Sequence, residues 1–201
     1  MKKSLIPIIV IVGVIVIIGF WIGGMNNTMV ELNQEATGQW ANVESSYQRR
    51  SDLIPNIVST AKGYAQFEKE TLTQVIEARA KATSVQIDPS NITPDQLAQF
   101  QQAQSGVSSA LSRLMVTVER YPELKANENF KELINELERT ENRINVERNR
   151  FNGEVQEYNT YIKKFPNTIA AGIFGFDEKG YFKADEGASS APKVDFGTSN
   201  S

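Results

Sequence analysis

Six side chains able to do chemistry stand where helical periodicity asks for apolar ones: Arg50, Glu68, Arg79, Gln104, Glu141 and Arg148. A carboxylate held among guanidinium groups inside a bundle can form an ion-pair layer, bind a metal or anion, or exchange protons in a polar slot. An unpaired ion in a core costs on the order of several kcal/mol, whereas a pair with its hydrogen bonds satisfied costs little and fixes helix register. The leading expectation is therefore structural, with Glu141 bridging an arginine of another helix. The competing one is a ligand-binding or enzymatic slot around Glu141.

Composition closes most catalytic routes. The 201 residues include no cysteine and no histidine, which removes disulfides, thiolate and imidazole metal sites, and cysteine or serine-histidine nucleophiles. Di-iron bundles rely on Glu-x-x-His pairs, so that route is closed too. Gly172-Ile173-Phe174-Gly175 is followed by no lysine at Walker spacing, so no phosphate cradle is expected. No enzyme activity, cofactor, metal site or small-molecule substrate is inferred. The formal charge of -3, with acids and bases interspersed, argues against nucleic acid as a partner. What remains is the lipid bilayer, another membrane protein, or a second copy of the chain.

The polar positions are placed by a helical scaffold whose spine is Asn127 to Phe165. Its apolar residues fall in two interleaved seven-residue rows: Phe130, Leu137, Ile144, Phe151, Tyr158 and Phe165, then Ile134, Glu141, Arg148, Val155 and Ile162. Residues 1–4 are a short basic terminus and 5–24 a transmembrane anchor, since Leu5 to Ile22 carries no charge and spans about 27 Å as a helix. Phe20-Trp21-Ile22-Gly23-Gly24 offers no small-x-small cleavage site, so the anchor is read as uncleaved. Lys2 and Lys3 precede the span and the first basic residue after it is Arg49, which puts the N-terminus in the cytoplasm and the folded part outside. Gly19-x-x-x-Gly23 would let two spans approach closely.

Residues 27–166 carry four helical stripes. The first runs Leu32, Ala36, Trp40, Val43, Tyr47, Arg50, Ile54, Ile57 and Ala61. It continues through Pro55, so a single kinked helix ending near Gly63 is expected, against the alternative of a break at Asp52-Leu53-Ile54-Pro55. The second carries Leu72, Val75, Arg79 and Ala82. Thr93-Pro94-Asp95-Gln96 is a full start signal for the third, which ends at Tyr121-Pro122, and Asn127 caps the spine. The expected fold is all-α: an antiparallel up-down-up-down four-helix bundle with one N-terminal transmembrane helix.

Helix parity returns the chain at Phe165 to its membrane-proximal end. Residues 167–186 form an apolar docking segment in which Ile173, Phe174 and Phe176 cap the base of the bundle or meet the bilayer or a partner's span. Asp177 to Gly180 reads as a turn, Tyr181 and Phe182 as docking residues, and 187–201 as a flexible tail. Asn56, Asn152 and Asn159 are poor helix formers and need a tertiary reason, such as bonding a kinked backbone near Pro55.

Taken together, Arg49-Arg50-x-Asp52-Leu53-Ile54-Pro55-Asn56, Lys62-Gly63-Tyr64-Ala65, Tyr121-Pro122-x-Leu124-Lys125-Ala126, Glu141-x-x-Ile144-x-x-x-Arg148-x-x-Phe151-Asn152, Tyr158-Asn159 and Phe165-Pro166 resemble the LemA family. The resemblance extends from about Val30 to Phe196. It implies a bacterial inner-membrane protein with one N-terminal span and an antiparallel helical domain, no reaction, and a partner in the same membrane. It also adds Asp52 to the polar layer, giving Arg50, Asp52, Arg79, Glu141 and Arg148.

Overall fold

The computed structural model describes residues 5–64 and 67–184, and all regular structure in them is helical. The elements are α1 (Leu5–Lys62), α2 (Lys69–Ser84), α3 (Pro94–Val118), α4 (Pro122–Ala126), α5 (Glu128–Lys163) and α6 (Asn167–Phe174). Anchor and first stripe form one helix. Gly23 and Gly24 weaken it by about 1 kcal/mol each relative to alanine but remove no hydrogen bond, so the helix runs on. It also continues through Pro55 and ends at Lys62, with Gly63 donating back to the Thr60 carbonyl.

Large apolar side chains from Ile8 to Trp21 stand exposed, and burial begins at Met25. From there α1 extends about 57 Å, and α5, with 36 residues, is about 54 Å long. The two run in opposite directions, as three core clusters record. At the base Met25, Met29 and Leu32 meet Tyr158, Ile162, Ala170 and Ala171. In the middle Ala36, Trp40, Val43 and Tyr47 meet Phe100, Ile144, Phe151 and Val155. At the far end Ile54, Ile57 and Ala61 meet Leu72, Val75, Leu111, Leu114, Phe130 and Ile134. α2 and α3 form an antiparallel hairpin packed on one another and on this far half. Thr93 and Gln96 close the expected capping box, and Asn127 accepts from the Phe130 amide at 2.9 Å.

Three expectations are corrected. The second row of α5 turns inward one residue early, at Thr140 and Glu147 rather than Glu141 and Arg148, because a 3.6-residue helix presents both neighbours near the seam and the facing helix decides. Phe165, assigned to the first row, lies beyond α5 and is 82% exposed. Asp177 to Gly180 is not a turn: the turn is at Gly175, whose φ of 76° suits a residue without a Cβ, and 176–184 is an extended strap along the bundle.

The strap explains two of the asparagines. Asn159 accepts from the Lys179 amide at 3.0 Å and donates to its carbonyl at 2.9 Å, and Asn152 does the same for Phe182 at 2.9 Å each way. Gln101 grips the Lys183 amide and carbonyl in like manner. Each carboxamide thus plays the part of a neighbouring β-strand, satisfying backbone groups that an irregular segment would leave bare. Gly180 crosses so close to α3 that a Cβ would sit 2.8 Å from the Pro94 Cα, which fixes glycine there. Phe182 docks as expected, stacked on Trp40 and edge-on to Phe151. Asn56 lies on the exposed side of α1, away from this strap. The tail from 185 on lies outside the described residues.

Candidate functional site

Arg50 is the centre of the polar residues. Its stripe position on α1 drives it inward, its side chain is 3% exposed, and it bonds Glu141 of α5 at 2.8 Å. Its Nη1 also donates to the Ser108 hydroxyl, and Nη2 to the carbonyl and side chain of Gln104 on α3. The guanidinium packs 5.0 Å over the Tyr47 ring. Glu141 is 34% exposed, so water reaches one side of the pair.

Arg79 has a different purpose. Pro55 has no N–H, so the carbonyl of Ser51, four residues back, loses its helical donor. Arg79 Nε of α2 donates to that carbonyl at 2.8 Å. The proline and the arginine thus form a matched pair, and α1 passes Pro55 without a bare buried carbonyl.

The other expected members do not join Arg50. Asp52 is exposed and accepts from Gln48 at 2.8 Å. Arg148 donates to the Lys183 carbonyl and packs 4.9 Å from the Phe182 ring, so it serves the strap. Glu68, half exposed at the start of α2, pairs with Arg120 at 2.7 Å. The carboxylate with the deepest burial is one the sequence reading missed. Glu147 has a side chain 6% exposed, accepts from Gln39 of α1 at 2.8 Å, and has Arg143 and Arg150 along its own helix at 3.8 and 3.4 Å. Its register, one position from Arg148, hid it.

A cavity of about 200 Å³ opens beside Arg50 between α1, α2 and α3, and its lining includes Glu44, Gln48, Ser51, Arg79 and Gln104 but not Glu141. The Ser51 hydroxyl is buried and has no hydrogen-bond partner among the described residues. Leaving such a group unmatched costs about 1–3 kcal/mol. Among those residues no group of three or more acids could hold a metal ion.

Two titrating groups meet where the strap crosses α5, Tyr158 on the helix and Lys179 in the strap. Burial and then the nearby Asp177 charge push the Tyr158 hydroxyl up to about 12, and it donates to the Asp177 carbonyl at 2.9 Å. Burial lowers the Lys179 ammonium from its ordinary value, partly opposed by Asp88. Its Nζ donates to the Ser90 carbonyl at 3.3 Å and lies 5.5 Å from the Tyr158 ring.

At the opposite extreme is the base. α6 packs on α1 and α5 through Ala170 and Ala171, with Phe176 beside them. Ile173 is 69% exposed and Phe174 is also exposed, so of the three expected base-capping residues only Phe176 packs on the core. Gly19 and Gly23 lie in the exposed part of α1, where an added Cβ would meet nothing.

α1 is long and apolar enough to cross a membrane; beyond that stretch α5 packs along it from Met25 on, α6 at its base and α2 near its far end. An all-helical protein with a membrane anchor at its N-terminus is the class these features define. The LemA family model matches residues 39–196, and the chain belongs to that family. It is 26% identical over 174 residues to magnetosome protein MamQ 1 of Paramagnetospirillum magneticum, a match that takes in 78% of this chain and 64% of that protein. Identity to MamQ of Magnetospirillum gryphiswaldense is 27% over 173 residues, with coverage of 78% and 64%. For protein LemA of Metamycoplasma hominis it is 24% over 163 residues, covering 81% and 71%. The chain thus spans slightly under two thirds of the length of its MamQ relatives, and none of these names states a reaction.

Proposed function

We propose that this protein is a single-pass, membrane-anchored antiparallel four-helix bundle acting as an interaction or scaffolding component of a bacterial membrane assembly, with no reaction of its own. The observation that carries this reading is the base. Phe165, Ile169, Ile173 and Phe174 leave a set of large apolar side chains uncovered on and beside α6, which packs where α1 changes from exposed to buried. Uncovered apolar surface of that kind marks a partner or a membrane. Lying next to the span, α6 is set to rest in the headgroup region and to meet the span of a neighbouring protein.

In this reading the Arg50–Glu141 pair and Arg79 are structural, fixing the register of α1 against α3, α5 and α2. Lys2 and Lys3 keep the N-terminus in the cytoplasm, and the bundle stands outside it. The Gly19/Gly23 face allows two spans to pack. The test is a photo-crosslinking side chain at Ile173 in the full-length protein in native membranes, followed by mass spectrometry. Adducts to lipid and to a membrane protein are expected; adducts to soluble proteins alone would overturn the proposal.

A further inference from the structure

We propose that the cavity between α1, α2 and α3 binds a small, singly charged carboxylate with a short aliphatic tail, held by the Arg79 guanidinium and the Ser51 hydroxyl. This site is separate from the membrane-proximal role above and stands or falls without it.

Arg79 spends only its Nε–H on the protein, at the Ser51 carbonyl. Its four Nη hydrogens have no acceptor, and its charge no carboxylate, among the described residues. That fork matches a carboxylate in both geometry and charge. Beside it, Ser51 is 8% exposed and its hydroxyl is unpartnered, so a guanidinium fork and a hydroxyl with a proton to donate belong to the same lining. Arg50, the other cation lining the cavity, is already neutralised by Glu141. Arg79 is therefore the cation of the lining that has no ion pair among the described residues, and Glu44 is the lining's one carboxylate.

Size and remaining lining narrow the ligand. The cavity of about 200 Å³ has room for roughly six waters, or one organic molecule of about the same volume. Ile54, Phe100 and Val107 supply an apolar wall for a short alkyl tail. Glu44, also on the lining and exposed, would repel a second negative charge, which disfavours phosphate, sulfate and dicarboxylates.

The test is 19F NMR of 4,4,4-trifluorobutyrate with the full-length protein in detergent micelles. A saturable shift and broadening with millimolar affinity is expected, reversed by butyrate but not by butyramide or by phosphate at equal ionic strength. Arg79→Lys, which keeps the charge and loses the fork, should weaken binding at least tenfold. Ser51→Ala, which deletes a hydroxyl with no protein partner and so should keep the fold, should weaken it about fivefold. Signals identical in wild type and Ser51→Ala would mean partitioning into micelles and overturn the site. So would the absence of saturation, which leaves the cavity to water, or competition by phosphate as strong as by butyrate.

Discussion

Glu141→Ala isolates the charge that answers Arg50. Removing one partner of a fully buried ion pair costs about 3–5 kcal/mol, because the other charge is stranded. Here the stranded group would be Arg50, with its side chain 3% exposed. Two features lower the figure: Glu141 is 34% exposed, so water can enter its place, and Ser108 and Gln104 still accept from Arg50. Exposed pairs contribute about 0.2–1 kcal/mol, and the expected loss lies between these limits, at about 2 kcal/mol. Glu141→Gln keeps an acceptor and should lose about half as much. The assay is urea unfolding of the full-length protein in mild detergent, followed through Trp40 in a Trp21→Phe background. A double-mutant cycle with Arg50→Ala should give a coupling of about 1–2 kcal/mol. A Glu141→Ala loss below about 0.5 kcal/mol, or no coupling, would refute the claim that this pair fixes register.

Other outcomes follow from the strap, the titrating groups and the anchor. Asn159→Ala strands the amide and carbonyl of Lys179 and should cost about 2–3 kcal/mol, with hydrogen exchange accelerating first in 177–184 rather than in α2. Tyr158 keeps its proton in the fold to about 12, above its ordinary value near 10, so its contribution is complete below about pH 10 and is lost as pH rises towards 12. Absorbance at 295 nm should show this late tyrosine, and Tyr158→Phe should abolish it. A fusion of alkaline phosphatase after Ser201 should be active, and one of a fluorescent protein that folds only in the cytoplasm should be dark; the reverse would overturn the orientation.

The helical part of the fold was legible because each stripe is apolar at nearly every step. Leu32 through Ala61 is apolar but for Arg50, and every position on it is buried. Register on α5 was less legible. Residues three and four positions after a first-row residue flank it on either side of the helix, so Thr140 and Glu147 replaced Glu141 and Arg148, and only the facing Gln39 identifies Glu147. The strap has no period to read. Asn152 and Asn159 were conspicuous as weak helix formers, seven residues apart on one face, but what they hold is fixed by chain folding back from Gly175. Arg79 on its stripe and Pro55 within another were both visible in sequence. Their relation required two helices to be in place.

The central claim, that α6 rests against the bilayer, is tested by brominated-lipid quenching in full-length protein reconstituted into liposomes. Trp21→Phe removes the indole in the span, and Phe174→Trp puts one on the exposed side of α6. Trp40, 1% exposed and about 27 Å along the helix from Ile22, remains as an internal reference. A blue-shifted emission component quenched by brominated lipid, over a steady Trp40 background, is predicted. Emission unchanged by brominated lipid would show that α6 stands clear of the membrane and would contradict the account.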